Sequence, residues 1–206
     1  MLPFSKVTVS SISLHSNPTI DVKDTVWKFT LNNHSEIQKS ILRAIQYAPK
    51  TRRVDNNTDV ILSTDYYTNE QDYTQKLYAR ILKESLVSSG FQEKLESYYC
   101  TDSVEYGTTW FQQYEKSDTH SWHFHPDCNI SIVYYVELER PEDSTEFFDL
   151  NSREPFYADV CEGDVVVFPA FLPHRSPSLK GSRKTIISWN LNFSDKNNNV
   201  NNKIPF

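Results

Sequence analysis

The stretch HSWHFHPDCNISIVYYV, residues 120–136, combines a dense group of metal-binding side chains with a long apolar run. Three of the six histidines in the chain fall within its first six residues. On an extended strand, side chains two positions apart point to the same side. His123 and His125 can therefore present two imidazoles into one space, and Asp127 follows two positions later.

A second stretch supplies a distant partner for these histidines. The segment GDVVVFPAFLPH, residues 163–174, predicts a buried strand bounded by Gly163 and Pro169, with His174 just beyond its end. One histidine alone is more often a structural residue than a ligand. A histidine pair on one strand with a third histidine on another can bind a divalent metal on one face and leave other positions open.

The segments around these motifs indicate one β-rich domain spanning residues 1–206. Residues 106–193 contain short apolar segments without long helices between them, which indicates an antiparallel sandwich or small barrel. Residues 1–105 predict early strands, among them the alternating TVWKFTL, and supporting helices. Residues 194–206 read as a polar tail, and residues 50–58 as a polar loop.

Three helices are expected in the first half of the chain. Apolar residues recur on one face from Ile37 to Ala48, and Pro49 ends the run. Thr68 and Gln71 form a capping-box pattern that predicts the start of a second helix. The segment FQEKLESYY is a candidate for the third.

The motifs resemble a known enzyme family. HFHPDCNISIVYYV, then GDVVVFPAFLPH, then RKTIISWN resemble the 2-oxoglutarate/Fe(II) oxygenases with the pattern HxHPxxxxSGxYYV, GxxxxFPxxxxH and RxSxxFN, which are similar to prolyl hydroxylases. Ile132 stands where that pattern has glycine. The resemblance covers about residues 106–193 and implies a double-stranded β-helix, or jelly roll, in a mainly β protein with flanking helices (α+β). It also implies Fe(II), 2-oxoglutarate as co-substrate and O2, in a dioxygenase that hydroxylates its substrate and releases succinate and CO2.

Two sets of metal ligands remain open at the level of sequence. His125 and His174 are common to both. The third ligand is Asp127 if the His-x-Asp motif is taken literally, and a carboxylate would then lower the net charge of the site. It is His123 if Pro126 and Asp127 form the turn into the next strand, as the spacing of the family pattern favours.

The resemblance also implies a partner for the distal carboxylate of 2-oxoglutarate. Arg183 and Lys184 lie nine and ten residues after His174, at the start of the last strand, and point to opposite faces. We prefer Arg183 for its fork geometry, with Lys184 as the alternative. Tyr135 and Tyr114 are further candidates for the same carboxylate.

Composition excludes several other classes of function. The chain has 206 residues, with 21 basic and 27 acidic side chains and a net charge of −6, which argues against binding to duplex nucleic acid or to an anionic membrane. Four glycines leave no glycine-rich phosphate loop. Three widely spaced cysteines and the lack of a signal-like apolar segment predict a soluble cytoplasmic protein.

Two other functions are compatible with these motifs. One is a cupin-like metalloenzyme with three histidines that does not use 2-oxoglutarate. The other is a jelly-roll binding module that is not an enzyme. The primary substrate, a protein side chain or a small metabolite, and the oligomeric state do not follow from the sequence.

Overall fold

The computed structural model describes residues 4–13, 21–55, 58–68 and 73–194. Its framework consists of two antiparallel β-sheets. Except for Ser194, the predicted polar tail lies outside the described residues.

The larger sheet has eight strands. In spatial order, they are β1 (Phe4–Ser13), β2 (Asp21–Thr30), β10 (Asp164–Pro169), β7 (Ile130–Leu138), β12 (Arg183–Ser194), β5 (Ser103–Glu115), β4 (Val60–Thr64) and β3 (Thr51–Asp55). The N-terminal strands thus continue the same sheet as the strands of residues 106–193.

The smaller sheet has four short strands. In spatial order, they are β6 (His120–His123), β11 (His174–Ser176), β8 (Glu146–Phe148) and β9 (Pro155–Tyr157). The two histidine-bearing strands, β6 and β11, are neighbours in this sheet, and His174 is paired with His123.

Three α-helices lie in the described part of the chain: α1 (His34–Tyr47), α2 (Leu77–Ser88) and α3 (Phe91–Tyr99). Short 3-10 turns occur at Tyr73–Gln75 and Pro141–Asp143. Among these described helices, none has the length and apolar character needed to cross a membrane.

Two hydrophobic cores lie on opposite faces of the larger sheet. The helices cover one face, where Ile41, Ile45 and Leu82 pack against Ile132 and Trp189. The other core fills the space between the sheets. It includes Val133, Tyr135, Val166, Ile186 and Phe147. Because both faces of β7 are buried, its central sequence from Ile132 to Val136 is apolar at every position rather than alternating.

The alternation along β12 determines the direction of the two basic residues at its start. Ile187 and Trp189 belong to the core under the helices, whereas Ile186 belongs to the core between the sheets. Side chains two positions apart share a face. Lys184 therefore points between the sheets, and Arg183 points to the other side.

The fold confirms most of the predicted elements and corrects two of them. The helices α1 and α3 lie where their apolar patterns placed them. The helix α2 begins at Leu77 rather than after Thr68, whose hydroxyl instead donates to the carbonyl of Asp65. The predicted loop over residues 50–58 contains the edge strand β3, whose side chains are largely exposed and so lack an apolar alternation.

Candidate metal and co-substrate site

Three histidines converge at one end of the space between the sheets. The ligand nitrogens of His123, His125 and His174 all lie within 4.8 Å of one another. The pairing of β6 with β11 brings His123 beside His174. His125 follows the end of β6, where its backbone N–H donates to the carbonyl of Ala170 at 2.8 Å, and its Nε2 lies 3.2 Å from that of His174.

Backbone carbonyls orient two of these imidazoles. Nδ1 of His123 lies 2.8 Å from the carbonyl oxygen of Ser121, and Nδ1 of His174 lies 2.9 Å from that of Leu172. A carbonyl only accepts, so each Nδ1 carries the proton and each Nε2 keeps its lone pair. This second hydrogen bond is the usual support of a metal-binding histidine.

Burial keeps the cluster uncharged at neutral pH. Desolvation lowers the pKa of His125 to about 4, with a further contribution from His123, and it also lowers the pKa of His123 and His174. Neutral imidazole is the form that binds a metal ion. The donor set therefore suits a divalent metal such as Fe(II), with three ligands on one side.

A fourth histidine flanks the cluster. The ring of His120 stacks on that of His123 with centroids 4.1 Å apart, and Nε2 of Gln112 lies 3.1 Å from Nδ1 of His120. Because the amide nitrogen donates, the proton of neutral His120 is on Nε2. Burial, with help from His123, lowers the pKa of His120 to about 3.

Asp127 is outside the histidine group. It is exposed in the turn that follows His125, and it lines a neighbouring pocket. The geometry thus brings together the set with His123 as the third candidate ligand.

The two basic candidates have different environments. The side chain of Arg183 is 54% exposed and forms an ion pair with Glu137. The side chain of Lys184 is fully buried, and its Nζ donates to the carbonyl of Asp143 at 2.7 Å and to the hydroxyl of Ser176 at 2.5 Å. Strand alternation turns Arg183 to the face of β12 away from the histidines, and it turns Lys184 to the face between the sheets.

The two tyrosine candidates are both buried between the sheets. Lys184 Nζ lies 4.4 Å from the centre of the Tyr114 ring. The hydroxyl of Tyr135 donates to Oγ1 of Thr145 at 2.9 Å and accepts from the backbone N–H of Thr145 at 3.0 Å. Tyr114 therefore lies beside the lysine, whereas Tyr135 is engaged by Thr145.

Two cavities meet at the histidines. An inner cavity of about 20 Å³ is lined by the three histidines together with Tyr114 and Ser176. An outer pocket of about 210 Å³ is lined by His123, His125 and several aromatic side chains. The two cavities share His123 and His125, and the inner one also reaches Ser176 and Tyr114, which contact Lys184.

Sequence reasoning missed several residues of this site. Ser176 contacts Lys184, and Trp110 lies 5.5 Å from the ring of His125. Tyr66 lines the outer pocket from the turn after β4. The sequence signal for Ser176 was its position two residues after His174 on the same strand face. Tyr66 reaches the site through long-range contacts of β4, which pairs with β5 and bridges to Thr119 beside His120.

Comparison with known proteins relates the fold to one class of enzyme. No protein-family model matches the sequence, and no curated protein sequence matches it. Solved structures do match. A 2OG-Fe(II) oxygenase family oxidoreductase from Burkholderia pseudomallei is 11% identical, with a TM-score of 0.64, covering 83% of this chain and 88% of that one.

Two further structures extend this comparison. The non-heme alpha-ketoglutarate-dependent epimerase SnoN of nogalamycin biosynthesis is 8% identical, with a TM-score of 0.65 over 82% of this chain and 79% of that one. A Pseudomonas putida prolyl-4-hydroxylase is 13% identical, with a TM-score of 0.54 over 82% of this chain and 92% of that one. The chain has the double-stranded β-helix fold of the 2-oxoglutarate/Fe(II) oxygenases, as its motifs indicated.

Proposed function

We propose that the protein is an Fe(II)- and 2-oxoglutarate-dependent dioxygenase that hydroxylates its substrate. The observation that carries this proposal is the presence, in the same space between the sheets, of three neutral histidines and a buried lysine. The first group suits a divalent metal, and the second suits the carboxylate of a keto acid. The solved oxygenases with the same fold support this combination of a metal site and a keto-acid site.

In this proposal, His123, His125 and His174 hold the metal. Their Nε2 atoms carry the free lone pairs in His123 and His174, because the Nδ1 atoms face carbonyl oxygens. O2 would supply the oxidising equivalents at the Fe(II) ion, and 2-oxoglutarate would be oxidised to succinate and CO2. The protein residues orient the groups and exclude water.

Lys184 is proposed to pair with the distal carboxylate of 2-oxoglutarate. Desolvation lowers the pKa of Lys184 to about 7, although the charge of Asp143 opposes this shift. A carboxylate beside the amine would compensate for the lost hydration of the ammonium ion. Ser176 and Tyr114, which contact Lys184 and line the inner cavity, would flank that carboxylate.

The keto acid must enlarge the inner cavity in order to bind. A volume of about 20 Å³ holds one water molecule. The contact of Lys184 Nζ with Ser176 Oγ is the one that a carboxylate oxygen would replace. We therefore expect Lys184 and Tyr114 to shift when 2-oxoglutarate binds.

Hydroxylation is the simplest reaction for such a site, and it is the reaction we propose. Enzymes with this fold include an epimerase as well as hydroxylases. The fold alone therefore does not determine the reaction.

Turnover of 2-oxoglutarate is the experiment that tests this function. Purified protein supplied with Fe(II), ascorbate and O2 is expected to convert 2-oxoglutarate to succinate, measured by mass spectrometry. His174→Ala should abolish the conversion because it removes the most buried candidate ligand. Conversion that survives in His174→Ala would contradict the assignment.

A second candidate is a three-histidine metalloenzyme that does not use 2-oxoglutarate. It is favoured by the lack of a carboxylate in the candidate ligand group, within the residues that the structure describes. Lys184→Met and the neighbouring Arg183→Met discriminate between the two functions. The 2-oxoglutarate-dependent function predicts that only Lys184→Met raises the KM for 2-oxoglutarate, by roughly 10- to 100-fold. This factor corresponds to the loss of one charge-assisted hydrogen bond.

A further inference from the structure

Three aromatic side chains form one side of the outer pocket, beside the histidines. We call Tyr66, Tyr67 and Trp110 the aromatic wall. The ring centroids of Tyr66 and Tyr67 lie 5.1 Å apart at 83°, and those of Tyr66 and Trp110 lie 5.1 Å apart at 76°. Successive rings are thus nearly perpendicular, so the wall is angled rather than flat.

A buried ion pair holds the aromatic wall in place. The carboxylate of Asp65 accepts from the backbone N–H of Phe111 at 3.0 Å and from the hydroxyl of Tyr78 at 2.5 Å. It also lies 3.1 Å from Nζ of Lys76, and both side chains are at most 3% exposed. Asp65 precedes Tyr66 and Phe111 follows Trp110, so these contacts fix two members of the wall relative to each other.

The described side chains that line the outer pocket include no lysine or arginine. Asp127 is the one acidic side chain among these described lining residues. Arg53 already covers one face of the Tyr67 ring, with its guanidinium carbon 4.7 Å from the ring centre, and it donates to the Tyr67 hydroxyl and pairs with Asp55 at 3.0 Å. A phosphate or carboxylate in the pocket would therefore find no lysine or arginine among the described lining side chains.

We infer that the outer pocket recognises its substrate through an alkylated ammonium group that contacts the aromatic wall. This inference rests on the proposed function, because it makes the pocket the substrate site of that reaction. The negative faces of aromatic rings attract a weakly hydrated cation. The Asp127 carboxylate in the lining adds a charge opposite to that of the ammonium group, and the volume of about 210 Å³ suits a small head group.

The test compares two probes of the same shape. Choline carries a quaternary ammonium group, and 3,3-dimethyl-1-butanol replaces its nitrogen with carbon. Binding to the full chain, without added Fe(II), is measured by ligand-observed NMR titration. Choline is expected to bind about tenfold more tightly than the alcohol, which corresponds to the attraction of a cation to aromatic rings.

Variants of the wall assign the binding to its rings. Tyr66→Leu is expected to remove the preference for choline, whereas Tyr66→Phe should keep it because the ring remains. Tyr67→Leu provides a second variant in case Tyr66→Leu fails to fold. Tyr47→Leu is the matched control, because Tyr47 is 75% exposed on α1 and does not line the pocket.

The outcome is separable from the test of the proposed function. Failure of choline to bind, equal affinity for the two probes, or a preference that survives Tyr66→Leu would overturn the inference even if 2-oxoglutarate is turned over. Selective choline binding without succinate formation would uphold the ammonium site and contradict the oxygenase.

Discussion

At the scale of single residues, burial decides the chemistry of the histidines. His123, His125 and His174 remain neutral because hydration of the imidazolium ion is lost between the sheets. Carbonyl oxygens fix the proton on Nδ1 in two of them. The Nε2 atoms of His123 and His174 thus carry the lone pairs that a metal would use, and that of His174 faces Nε2 of His125 at 3.2 Å.

The third ligand can be identified by metal affinity. His123→Ala is expected to weaken Ni(II) binding by more than about 100-fold, since direct ligands count for more than the residues that orient them. Asp127→Asn should leave the affinity nearly unchanged because Asp127 is exposed in the turn. Isothermal titration calorimetry measures both. The reverse pattern would make Asp127 the ligand.

The depressed pKa of Lys184 predicts that 2-oxoglutarate binding depends on pH. The amine carries its charge below its pKa of about 7 and loses it above. Because the anion needs the charged form, the apparent Kd for 2-oxoglutarate should rise about fivefold from pH 7 to pH 8. Titrations of the Ni(II)-loaded protein at both pH values measure the change.

Lys184→Met provides the control for this pH effect. Its Kd should be weak at both pH values and should lack the fivefold change. A Kd that is the same at pH 7 and pH 8 in the unmodified protein would show that Lys184 does not bind the keto acid through its charge.

At the scale of elements, the helices and the site lie on opposite faces of the larger sheet. Leu82 of α2 is fully buried against the sheet face that carries Ile187 and Trp189, whereas the histidines lie beyond its other face. The helices therefore support the sheet without contributing ligands. Stability and metal binding should be separable by mutation.

Substitutions in α2 test this separation. Leu82→Ala is expected to lower the free energy of unfolding by about 2–4 kcal/mol, because it leaves a cavity in the core. Leu77→Ala on the same helix should cost less than about 1 kcal/mol, since Leu77 is 55% exposed. Urea unfolding measures both, and the Ni(II) affinity of each variant should match that of the parent. A parallel loss of affinity in Leu82→Ala would contradict the separation.

Sequence patterns predicted the buried elements better than the exposed ones. The strand β7 and the helix α1 stood out because their apolar side chains are numerous and regularly spaced. The edge strand β3 was missed because solvent lies on both of its sides, and no apolar alternation marks it. The start of α2 was placed too early because Thr68 and Gln71 match a capping pattern, while the observed helix has Lys76 at its N-cap and no side-chain cap.

Strand alternation likewise determines how much of the candidate site the sequence could predict. The grouping of His123 and His125 followed from strand alternation within a few residues. Alternation also separated Arg183 from Lys184, but it could not say which face of β12 would be internal. Only the packing of Ile186 and Trp189 into different cores decides that question.

At the scale of the whole molecule, the candidate metal site connects distant parts of the chain. His123 and His174 are separated by about fifty residues and meet through one strand pairing. A metal bound there would link β6 to β11 and stabilise the folded state by mass action. The fold and the site are therefore expected to respond together to metal.

Thermal unfolding measures this coupling. Ni(II) at about 100 times its Kd should stabilise the protein by about 2.7 kcal/mol, which corresponds to a rise in Tm of roughly 5–10 °C for a chain of this size. His174→Ala should show no rise, and His34→Gln, which alters a histidine outside the cluster, should show the full rise. An equal rise in His174→Ala would mean that the metal binds elsewhere.

The central claim is that one space between the sheets holds both a metal and 2-oxoglutarate. Calorimetric titration of 2-oxoglutarate into Ni(II)-loaded protein tests it most directly, because no primary substrate is needed. We predict binding of one 2-oxoglutarate per chain that depends on Ni(II) and is weakened in Lys184→Met but not in Arg183→Met. Binding that is absent, or that is the same without Ni(II) and in Lys184→Met, would contradict the claim.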